Sequence, residues 1–582
     1  MPILPLIHAS TASERFEAPP PARRAALVSA IATSLIVVGL VAMMTLTCAP
    51  PARAASTQTA ILEDEPQMLA NPVQTLMQAR ELGAGTVRLL LRWDVIAPKP
   101  NSFKRPANFN GSNPASYPAR SWAPYDAVIR AAAADGIKVD LDLAGGAPLW
   151  ATGPKMPHQR GYPFHNWEPS AALFGQFVHA VAVRYGGAYD PTTRSVSPGS
   201  ASELPRVGVW SVYNEPTYGP SLAPQGLPGH PGVEGSPRYY RLLVDAAWSA
   251  LHATGHGSDT IIIGELTPRN KTYSTTKLGN FNGMWPLQFL RALYCVDPRY
   301  RPLRGTAASL RGCPTNAAGT RRFASMHPAL FAASGYSDHP YTDGLPPNKE
   351  LMPSPNGTGI TELGQLTGAL DRVVSVYHSR KRFPVWITEY GYITSPPKLP
   401  HPTAGDHLRY PSPATAAYWD NWSEYLTWKN PRVMSFDQYL LRDPLPRLAS
   451  NDYGGFASGL LDFQGNPKPG YDAWRMPLYL PVTHAVMGQA LEVWGAVKPV
   501  HYAMLDMPTQ PQSVTILFEP AGSTTFSPLD TVPITSSQGY FDTHETFPSS
   551  GTLELSWTYP ADSMFATPSQ TIYSRPVAIT LN

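Results

Sequence analysis

Cysteine and charge are both scarce in this chain of 582 residues. Only 3 Cys are present, and Asp, Glu, Lys and Arg together make up 15% of the residues. The formal net charge is +3, and no long block of Lys or Arg occurs. No nucleic-acid partner is therefore expected, because such proteins concentrate positive charge on one face or segment. A neutral ligand suits this composition better.

Three sequence patterns are also missing. No Gly-rich phosphate-binding fingerprint follows any predicted strand, which disfavours a nucleotide-binding open sheet. No internal repeat of solenoid period is present. No His and Cys spacing near the last two cysteines resembles a zinc ligand set.

Proline, glycine and aromatic residues are plentiful. The 64 Pro and 45 Gly indicate long, stiff loops between regular elements. The 14 Trp, the 28 Tyr and a hydrophobic fraction of 43% are typical of a globular protein. The length exceeds the usual size of one domain, so we expect one large domain with accessories.

The N-terminal segment differs in composition from the rest of the chain. Arg23 and Arg24 precede an apolar stretch at 25–46, and Ala-Arg-Ala at 52–54 resembles a signal-peptidase site. Residues 1–55 are therefore predicted to be a signal peptide, with the mature chain starting near Ala55 and the protein exported to the cell surface or beyond. An uncleaved membrane anchor is the main alternative, and it is the only membrane contact expected. Lipidation at Cys48 is a second alternative.

Cys295 and Cys313 are the only cysteines beyond this segment. In an exported protein, two cysteines within one loop-rich stretch form a disulfide more often than a metal site. We predict that they pair.

From about residue 57, short β-branched runs alternate with amphipathic helical patterns, which is typical of βα units around a parallel sheet. The predicted strands are 59–63, 85–92, 137–143, 206–213, 260–264, 331–338, 384–388 and 433–439. Eight strands with intervening helices indicate the α/β class, a (β/α)8 TIM barrel over residues 56–477. An open doubly wound sheet is the alternative.

The C-terminal part changes to short alternating runs separated by Gly, Pro and Ser turns. These runs include 512–518, 532–535, 552–557 and 576–581. The pattern predicts a small β-sandwich domain over residues 478–582. It either braces the barrel or binds carbohydrate.

Two of the predicted barrel strands run into a glutamate. Val-Trp-Ser-Val-Tyr-Asn-Glu-Pro ends the fourth strand at Glu215, and Pro-Val-Trp-Ile-Thr-Glu-Tyr-Gly ends the seventh at Glu389. The carboxyl ends of barrel strands carry the chemistry of such folds. Two carboxylates that converge there from distant segments are what glycosidic bond cleavage requires.

The motifs around these glutamates resemble those of a known group of enzymes. Asn-Glu-Pro at 214–216 is similar to the acid/base signature of the clan A retaining glycoside hydrolases, and Thr-Glu-Tyr-Gly at 388–391 is similar to their nucleophile signature. In that clan the two residues follow strands four and seven, which matches the strand count above. The resemblance covers residues 57–477 and is greatest to families 5 and 39.

The resemblance implies a glycosidase that hydrolyses O-glycosidic bonds of a poly- or oligosaccharide by double displacement through a covalent glycosyl-enzyme. Glu389 would be the nucleophile and Glu215 the acid and then the base, with no metal or organic cofactor. The expected partner is a carbohydrate substrate. A transglycosylase using the same site and a polysaccharide-binding barrel without turnover remain as alternatives.

Further residues match the clan's pattern. Asn214 would contact the sugar 2-hydroxyl. Ser-Asp-His-Pro-Tyr at 337–341 resembles the His-x-Tyr element, in which the hydroxyl of Tyr341 would donate to the nucleophile and His339 would border the cleaved subsite. Arg88 matches the strand-two Arg that pairs with the nucleophile, and Arg92 is the alternative for that role.

Aromatic residues near the rim are candidates for stacking on sugar rings, with ordinary packing as the alternative for each. These candidates are Trp93, Trp150, Tyr390 and Tyr439. In many clan members a Trp at the end of strand eight forms the floor of the cleaved subsite. In this chain Phe436 and Tyr439 are the aromatic residues of that strand.

Overall fold

The structure of the protein is a computed structural model that describes residues 57–157, 164–269, 278–342, 344–350, 353–394, 410–445, 456–561 and 568–582. The segment predicted as a signal peptide or anchor, 1–55, lies outside the described residues. Within the described ranges, none of the helices has the length and apolar character needed to cross a membrane.

Eight parallel strands form a closed barrel. They are β1 (Thr59–Glu63), β2 (Thr86–Leu90), β3 (Lys138–Leu143), β4 (Val209–Val212), β5 (Thr260–Leu266), β6 (Gly335–Asp338), β7 (Val385–Ile387) and β8 (Ser435–Tyr439). Strands β1 to β7 pair in sequence order and β8 pairs with β1. Val385 forms a parallel bridge with Val433, just before β8, which closes the ring. The predicted barrel and all eight strands are confirmed.

Strand β6 begins at Gly335 rather than at residue 331. The preceding Ala329–Ala332 form a short helix instead. The sequence Ala-Leu-Phe-Ala contains no β-branched residue and follows a Pro, which is common at the start of a helix.

The strands carry apolar residues on one face and polar residues on the other. In β2, Val87 and Leu89 belong to the apolar core, whereas Arg88 between them contacts charged residues of β1, β3 and β5. This alternation follows from the two-residue period of a strand, which directs neighbours to opposite faces. The interior of the barrel is therefore polar, and the apolar face packs against the helices.

The helices that follow or precede the strands bury one apolar face each. They are α1 (Glu65–Ala70), α2 (Pro72–Glu81), α3 (Trp93–Ile96), α4 (Ala119–Ala134), α5 (Ala171–Arg184), α6 (Ser236–Ala253), α7 (Pro286–Leu293), α8 (Gly305–Leu310), α9 (Ala317–Met326), α10 (Ala329–Ala332), α11 (Leu363–Ser375), α12 (Pro413–Trp428), α13 (Pro469–Arg475) and α14 (Val500–Asp506). Helix α5 illustrates the pattern, because Phe174, Phe177, Val178 and Val181 recur at three- and four-residue spacing and are fully buried. Its N-cap, Ser170, accepts a hydrogen bond from the Leu173 amide.

Two mostly antiparallel sheets follow the barrel, as predicted for a C-terminal β-sandwich. Their strands are β9 (Leu478–Tyr479), β10 (His484–Ala485), β11 (Ala490–Ala496), β12 (Gln512–Pro520), β13 (Ser527–Ile534), β14 (Tyr540–Thr546), β15 (Gly551–Tyr559), β16 (Gln570–Tyr573) and β17 (Val577–Leu581). One sheet has the order β9-β11-β14, and the other has the order β10-β17-β15-β12-β13 with β16 beside β15. Val493, Val514 and Leu553 contribute to the core that the two sheets share.

The sandwich contacts the barrel through buried polar and aromatic groups. Lys498 Nζ lies 2.9 Å from Glu424 Oε2 of helix α12, and both side chains are 1% exposed. The hydroxyl of Tyr540 donates to Glu424 Oε1 at 2.7 Å. The rings of Trp422 and Tyr479 stack with centroids 5.9 Å apart. These contacts join the two parts without leaving the buried charges unpaired.

Cys295 and Cys313 form the predicted disulfide, with an S–S distance of 2.08 Å. The bond links the end of helix α7 to the segment after helix α8. The guanidinium of Arg241 lies against this link and donates to the Leu293 carbonyl at 2.7 Å. The disulfide therefore fixes a loop on the outside of the barrel.

Candidate active site

Glu215 and Glu389 meet at the carboxyl end of the barrel. Glu215 lies three residues after β4 and Glu389 two residues after β7, and each is 7% exposed. One carboxylate oxygen of each and a ring nitrogen of His339 lie within 4.8 Å of one another. Residues 174 positions apart in sequence are thus brought within contact distance.

The backbone that follows β4 and positions Glu215 is strained. Tyr213 has φ of 70° and Glu215 has φ of 44°, a left-handed conformation that costs a residue other than glycine about 1 to 3 kcal/mol. Tyr213 is held by burial and by a hydrogen bond from its hydroxyl to the Ser221 carbonyl at 3.1 Å. Such strain recurs at functional sites, where it fixes a side chain in one direction.

Glu389 is held on both carboxylate oxygens. Arg88 Nη1 donates to Oε1 at 2.9 Å, and the Tyr341 hydroxyl donates to Oε2 at 3.1 Å. Both partners donate hydrogen bonds to the carboxylate, so they orient Glu389. Of the two arginines considered for pairing with the nucleophile, Arg88 contacts Glu389, whereas Arg92 points to Asp94 with an Nε to Oδ1 distance of 3.9 Å.

Arg88 is the hub of the barrel interior. It is fully buried, and its guanidinium donates to side-chain oxygens of Glu63, Asp142, Asn214, Glu265 and Glu389. Burial alone would lower the pKa of Arg88, but the surrounding carboxylates raise it well above its usual value. The guanidinium therefore stays charged at every pH the protein meets.

Several acids around this hub have raised pKa values. Burial raises the pKa values of Glu63, Asp142 and Asp437 well above their usual range. Burial and the neighbouring Glu265 raise the pKa of Asp140 to about 7. Raised pKa values favour the neutral forms of these buried acids, which reduces the large cost of burying unpaired ions.

Glu265, at the end of β5, is the exception. It is fully buried and accepts hydrogen bonds from Arg88 Nη2 at 2.9 Å and from the Thr388 hydroxyl at 3.0 Å. Its Oε2 also lies 2.9 Å from His339 Nε2. Burial alone would raise the pKa of Glu265, but Arg88 and His339 lower it to about 2.

Sequence reasoning did not single out Glu265. The signal was present, because the run Thr-Ile-Ile-Ile-Gly-Glu at 260–265 ends in a glutamate as β4 and β7 do. The predicted strand was ended one residue earlier, at Gly264. In the structure β5 continues through Gly264 and Glu265 to Leu266, with positive φ angles of 115° and 50° at the first two.

His339 connects Glu265 to both candidate catalytic residues. Its Nδ1 lies 3.4 Å from Glu215 Oε1 and 3.5 Å from Glu389 Oε2. Burial alone would lower the pKa of His339, but the surrounding carboxylates raise it well above its usual value. The carboxylates around the ring therefore favour its protonated form.

The group formed by Glu215, His339 and Glu389 has the spacing of a metal site but not its chemistry. A histidine ligand must offer a lone pair. His339 Nε2 lies 2.9 Å from Glu265 Oε2, and Glu389 is already paired with Arg88. The arrangement suits proton transfer and nucleophilic attack by carboxylates rather than coordination of a cation.

A cavity of about 260 Å³ opens above the two glutamates. Its walls include Asn214 and Tyr341, beside the two glutamates, and Glu63 of β1. Tyr439 lines it as expected for a stacking residue, and Phe456 packs edge-on against Tyr439 with centroids 5.3 Å apart. Phe456 was not singled out from the sequence. Phe456 lies in the chain segment after β8, and no strand pattern in the sequence predicts its position at the site.

Three of the predicted stacking residues do not line this cavity. Trp93 is 1% exposed and stacks on Phe177 of helix α5, with centroids 5.6 Å apart. Trp150 is occupied in packing, with its indole N–H donating to the Pro98 carbonyl at 3.0 Å. Tyr390 is 1% exposed and its hydroxyl bonds to Ser423 at 2.6 Å.

Tyr390 instead supports a residue of the site. Tyr390 stacks on the ring of Tyr341, with centroids 6.1 Å apart, and so helps to place the hydroxyl that reaches Glu389. Phe436 is buried against Tyr390 and Trp474 and does not reach the cavity. Tyr439 is therefore the aromatic of β8 that lines the cavity.

No family model and no curated protein matches the chain. A family 39 glycoside hydrolase from the gut symbiont Bacteroides cellulosilyticus WH2 is similar in structure, with 14% identity and a TM-score of 0.40 over 84% of this chain and 80% of that chain. A GH39 β-xylosidase from Caulobacter crescentus has 13% identity and a TM-score of 0.41 over 85% and 94%. An endo-β-1,4-mannanase from Thermotoga petrophila has 11% identity and a TM-score of 0.36 over 92% and 99%. At these identities and TM-scores the likeness carries no functional argument.

Proposed function

We propose that the protein is a retaining glycoside hydrolase that cleaves O-glycosidic bonds of a carbohydrate. The separation of the two carboxylates carries this proposal. Oxygens of Glu215 and Glu389 lie within 4.8 Å of each other. Retaining enzymes hold the two carboxyl groups about 5 to 5.5 Å apart, whereas inverting enzymes need about 6.5 to 9.5 Å to admit a water between them.

In the first step Glu389 attacks the anomeric carbon and forms a covalent bond to it. The bond from that carbon to the leaving oxygen breaks, and Glu215 gives its proton to that oxygen. In the second step Glu215, now ionised, takes a proton from water, and the water oxygen displaces Glu389. Two inversions at one carbon retain its configuration.

The surrounding residues support opposite tasks for the two glutamates. Glu389 receives hydrogen bonds from Arg88 and Tyr341 on its two oxygens, which hold the carboxylate in place for attack. Glu215 Oε1 lies 3.4 Å from His339 Nδ1, which places a ring nitrogen beside the carboxylate that forms when Glu215 has donated its proton. Asn214 lines the cavity beside Glu215, where it can bond a sugar hydroxyl.

The same glycosyl-enzyme would permit transglycosylation if a sugar hydroxyl replaced water in the second step. Which acceptor wins depends on how water reaches Glu389. Product analysis by mass spectrometry at high and low substrate concentration separates the two outcomes, because transfer products longer than the substrate form only in transglycosylation.

We also propose that residues 1–55 direct export. The positive pair, the apolar stretch and the Ala-Arg-Ala site support this, and a neutral sugar polymer outside the cell would be a consistent substrate. N-terminal sequencing of the protein recovered from a secreting host tests it. A start near Ala55 is expected, and an intact N-terminus retained in the membrane fraction would favour the anchor.

Substitution of the nucleophile tests the mechanism. Glu389→Ala should abolish turnover, and added azide should restore it by forming a glycosyl azide of inverted configuration, because azide occupies the space left by the carboxylate. Glu519→Gln in strand β12 is the matched control and should retain full activity. Undiminished activity of Glu389→Ala would remove this residue from the mechanism. Binding of polysaccharide without turnover by the unaltered protein would support the non-catalytic barrel instead.

A further inference from the structure

Strand β5 contains a β-bulge at its carboxyl end. Gly264 and Glu265 together oppose the single residue Ser337 of β6. A bulge inserts one residue into a strand and changes the direction of the side chains beyond it. The backbone is strained at this point, because Glu265 has φ of 50°, in the left-handed region that is unfavourable for residues other than glycine.

The bulge turns Glu265 into the barrel interior. Ile261, Ile263 and Leu266 of the same strand all belong to the apolar core between strands and helices. With an unbroken two-residue period, Glu265 would share the face of Ile261 and Ile263 and would lie among apolar groups. The inserted residue instead places Glu265 on the polar inner face and returns Leu266 to the apolar face.

Gly264 is required for this bulge. Its φ is 115°, and a Cβ built there would lie 2.5 Å from Tyr336 Cε1 and 2.7 Å from the Ser337 carbonyl oxygen. Both the backbone conformation and the close approach exclude other residues. The strained segment has one evident result, which is the placement of the Glu265 carboxylate inside the barrel.

Glu265 contacts the two groups that hold the candidate catalytic residues. Its Oε2 lies 2.9 Å from Arg88 Nη2 and 2.9 Å from His339 Nε2. Arg88 reaches Glu389 through Nη1, and His339 Nδ1 lies 3.4 Å from Glu215 and 3.5 Å from Glu389. Glu265 is fully buried and is not among the residues that line the catalytic cavity. It therefore acts on a substrate only through other residues.

The contact with Glu265 determines which nitrogen of His339 faces the cavity. Oε2 of Glu265 already accepts hydrogen bonds from Arg88 and Thr388, so it is an acceptor towards the ring as well. A hydrogen on Nε2 satisfies this contact and holds the ring with Nδ1 between the two candidate catalytic glutamates. Nδ1 is then the ring atom beside the carboxyl group of Glu215 when the proton leaves it.

We propose that Glu265 is a positioning residue for the proposed reaction, which orients His339 so that Nδ1 stays beside Glu215 and Glu389. The inference rests on the proposed glycosidase function. Without the carboxylate at Nε2 the ring loses the acceptor that fixes it and is free to turn away from Glu215. The competing explanation is that Glu265 serves only as a counter-ion of Arg88, with which it also forms an ion pair.

The pH dependence of turnover gives one test of this role. The ionisable groups around Glu265 and His339 are Glu63 of β1, Arg88 of β2, Asp140 and Asp142 of β3, Glu215 after β4, Tyr240 of α6, Asp338 of β6 and Glu389 after β7. Glu265→Gln keeps the shape and removes one negative charge from this group. Loss of a negative charge lowers the proton affinity of the groups beside it, so both limbs of the pH profile of kcat/KM should move to lower pH by about one unit.

A double-mutant cycle separates positioning of His339 from pairing with Arg88. The probes are the 4-nitrophenyl β-glycosides of glucose, mannose and xylose, and the proteins are the unaltered chain, Glu265→Gln, His339→Asn and the double variant. Glu265→Gln alone should lower kcat/KM by about tenfold or more, because the amide oxygen is a weaker acceptor than the carboxylate. In the His339→Asn background, where the ring is absent, the same substitution should change kcat/KM by less than about threefold.

Asp142→Asn is the matched control for disturbance of the hub. Asp142 is fully buried and lies 2.9 Å from the same Arg88 atom, Nη2, but it forms no hydrogen bond with His339 among the described residues. Its effect on kcat/KM should multiply with that of His339→Asn. All variants are compared at a temperature at which circular dichroism shows them to be folded. If Glu265→Gln does not fold, Glu265→Asp, which keeps a carboxylate for Arg88, replaces it in the cycle and should likewise lower kcat/KM only where His339 is present.

The outcomes distinguish this role from the proposed function. Unmoved pH limbs in Glu265→Gln, or an effect on kcat/KM that multiplies with that of His339→Asn, would overturn the positioning role and leave the glycosidase proposal intact. No turnover of any probe by the unaltered protein, together with no adduct from the fluorinated sugars described below, would overturn the proposed function itself.

Discussion

Glu265 should stabilise the barrel through its charge, and its contribution should depend on pH in one direction. The folded structure lowers its pKa from 4.5 to about 2, because Arg88 and His339 outweigh burial. A shift of about 2.5 pH units at about 1.4 kcal/mol each corresponds to roughly 3 kcal/mol. This agrees with the roughly 3 to 5 kcal/mol lost when one partner of a buried ion pair is removed.

The pH dependence follows from the sign of this shift. A group whose folded pKa is lowered contributes its full stabilisation above the unfolded pKa, here about 4.5, and loses it as the pH falls towards 2. Glu265→Gln keeps the shape and removes the charge. The difference in unfolding free energy between the two proteins should be about 3 kcal/mol at pH 7 and about 1.5 kcal/mol at pH 3.

Urea unfolding followed by tryptophan fluorescence, at several pH values from 3 to 7, measures this difference. Glu519→Gln should change the unfolding free energy by less than about 0.5 kcal/mol, as substitutions outside such networks usually do. A difference for Glu265→Gln that stays below 1 kcal/mol at pH 7 would refute the reasoning. So would a difference that grows as the pH falls.

Three further results are expected. Tyr341→Phe, which removes the 3.1 Å hydrogen bond to Glu389, should lower kcat/KM for an aryl glycoside by about tenfold or more with little change in unfolding free energy, and unchanged kinetics would contradict its placement. The fold raises the pKa of Asp140 from 3.8 to about 7, so the unfolding free energy of the native protein should fall as the pH rises through that range. Between pH 4 and pH 8 the unfolding free energy of Asp140→Asn, measured with urea, should therefore rise by up to about 4 kcal/mol relative to that of the native protein. Replacing Cys295 and Cys313 together by Ser should lower the unfolding free energy by about 2 to 4 kcal/mol, because the disulfide restricts the unfolded chain. The measurement is the same urea unfolding under non-reducing conditions, and an unchanged unfolding free energy would contradict this contribution.

The strands and the two glutamates were predictable because their signals are local. A buried parallel strand is a short β-branched run, and a glutamate that ends such a run lies at the strand's carboxyl end whatever the loops do. The run 209–215 shows both features in seven residues. Counting strands then placed Glu215 and Glu389 on the same rim.

Residues whose role depends on loop packing were not predictable in this way. Trp93 follows β2 at the rim, as a stacking residue would, yet helix α5 covers it with Phe174 and Phe177. Nothing local to Trp93 reveals that cover. Phe456 shows the opposite case, because only the return of the chain after β8 brings it beside Tyr439.

The charge state of the site also lies beyond the sequence. Arg88 was expected to pair with the nucleophile, but its other carboxyl partners come from β1, β3 and β5. Which of these acids is ionised depends on burial and on the distance to Arg88 and His339. Only the folded arrangement shows that the pKa of Glu265 is lowered, to about 2.

Trapping of the glycosyl-enzyme tests the central claim most directly. The protein is incubated with a panel of 2-deoxy-2-fluoro glycosides that carry good leaving groups, and its intact mass is measured before peptide mapping. The account predicts a stable adduct of one fluorinated sugar on Glu389, which is absent from Glu389→Ala. An adduct on a different carboxylate, or turnover of the parent glycosides with inversion and no adduct, would contradict it.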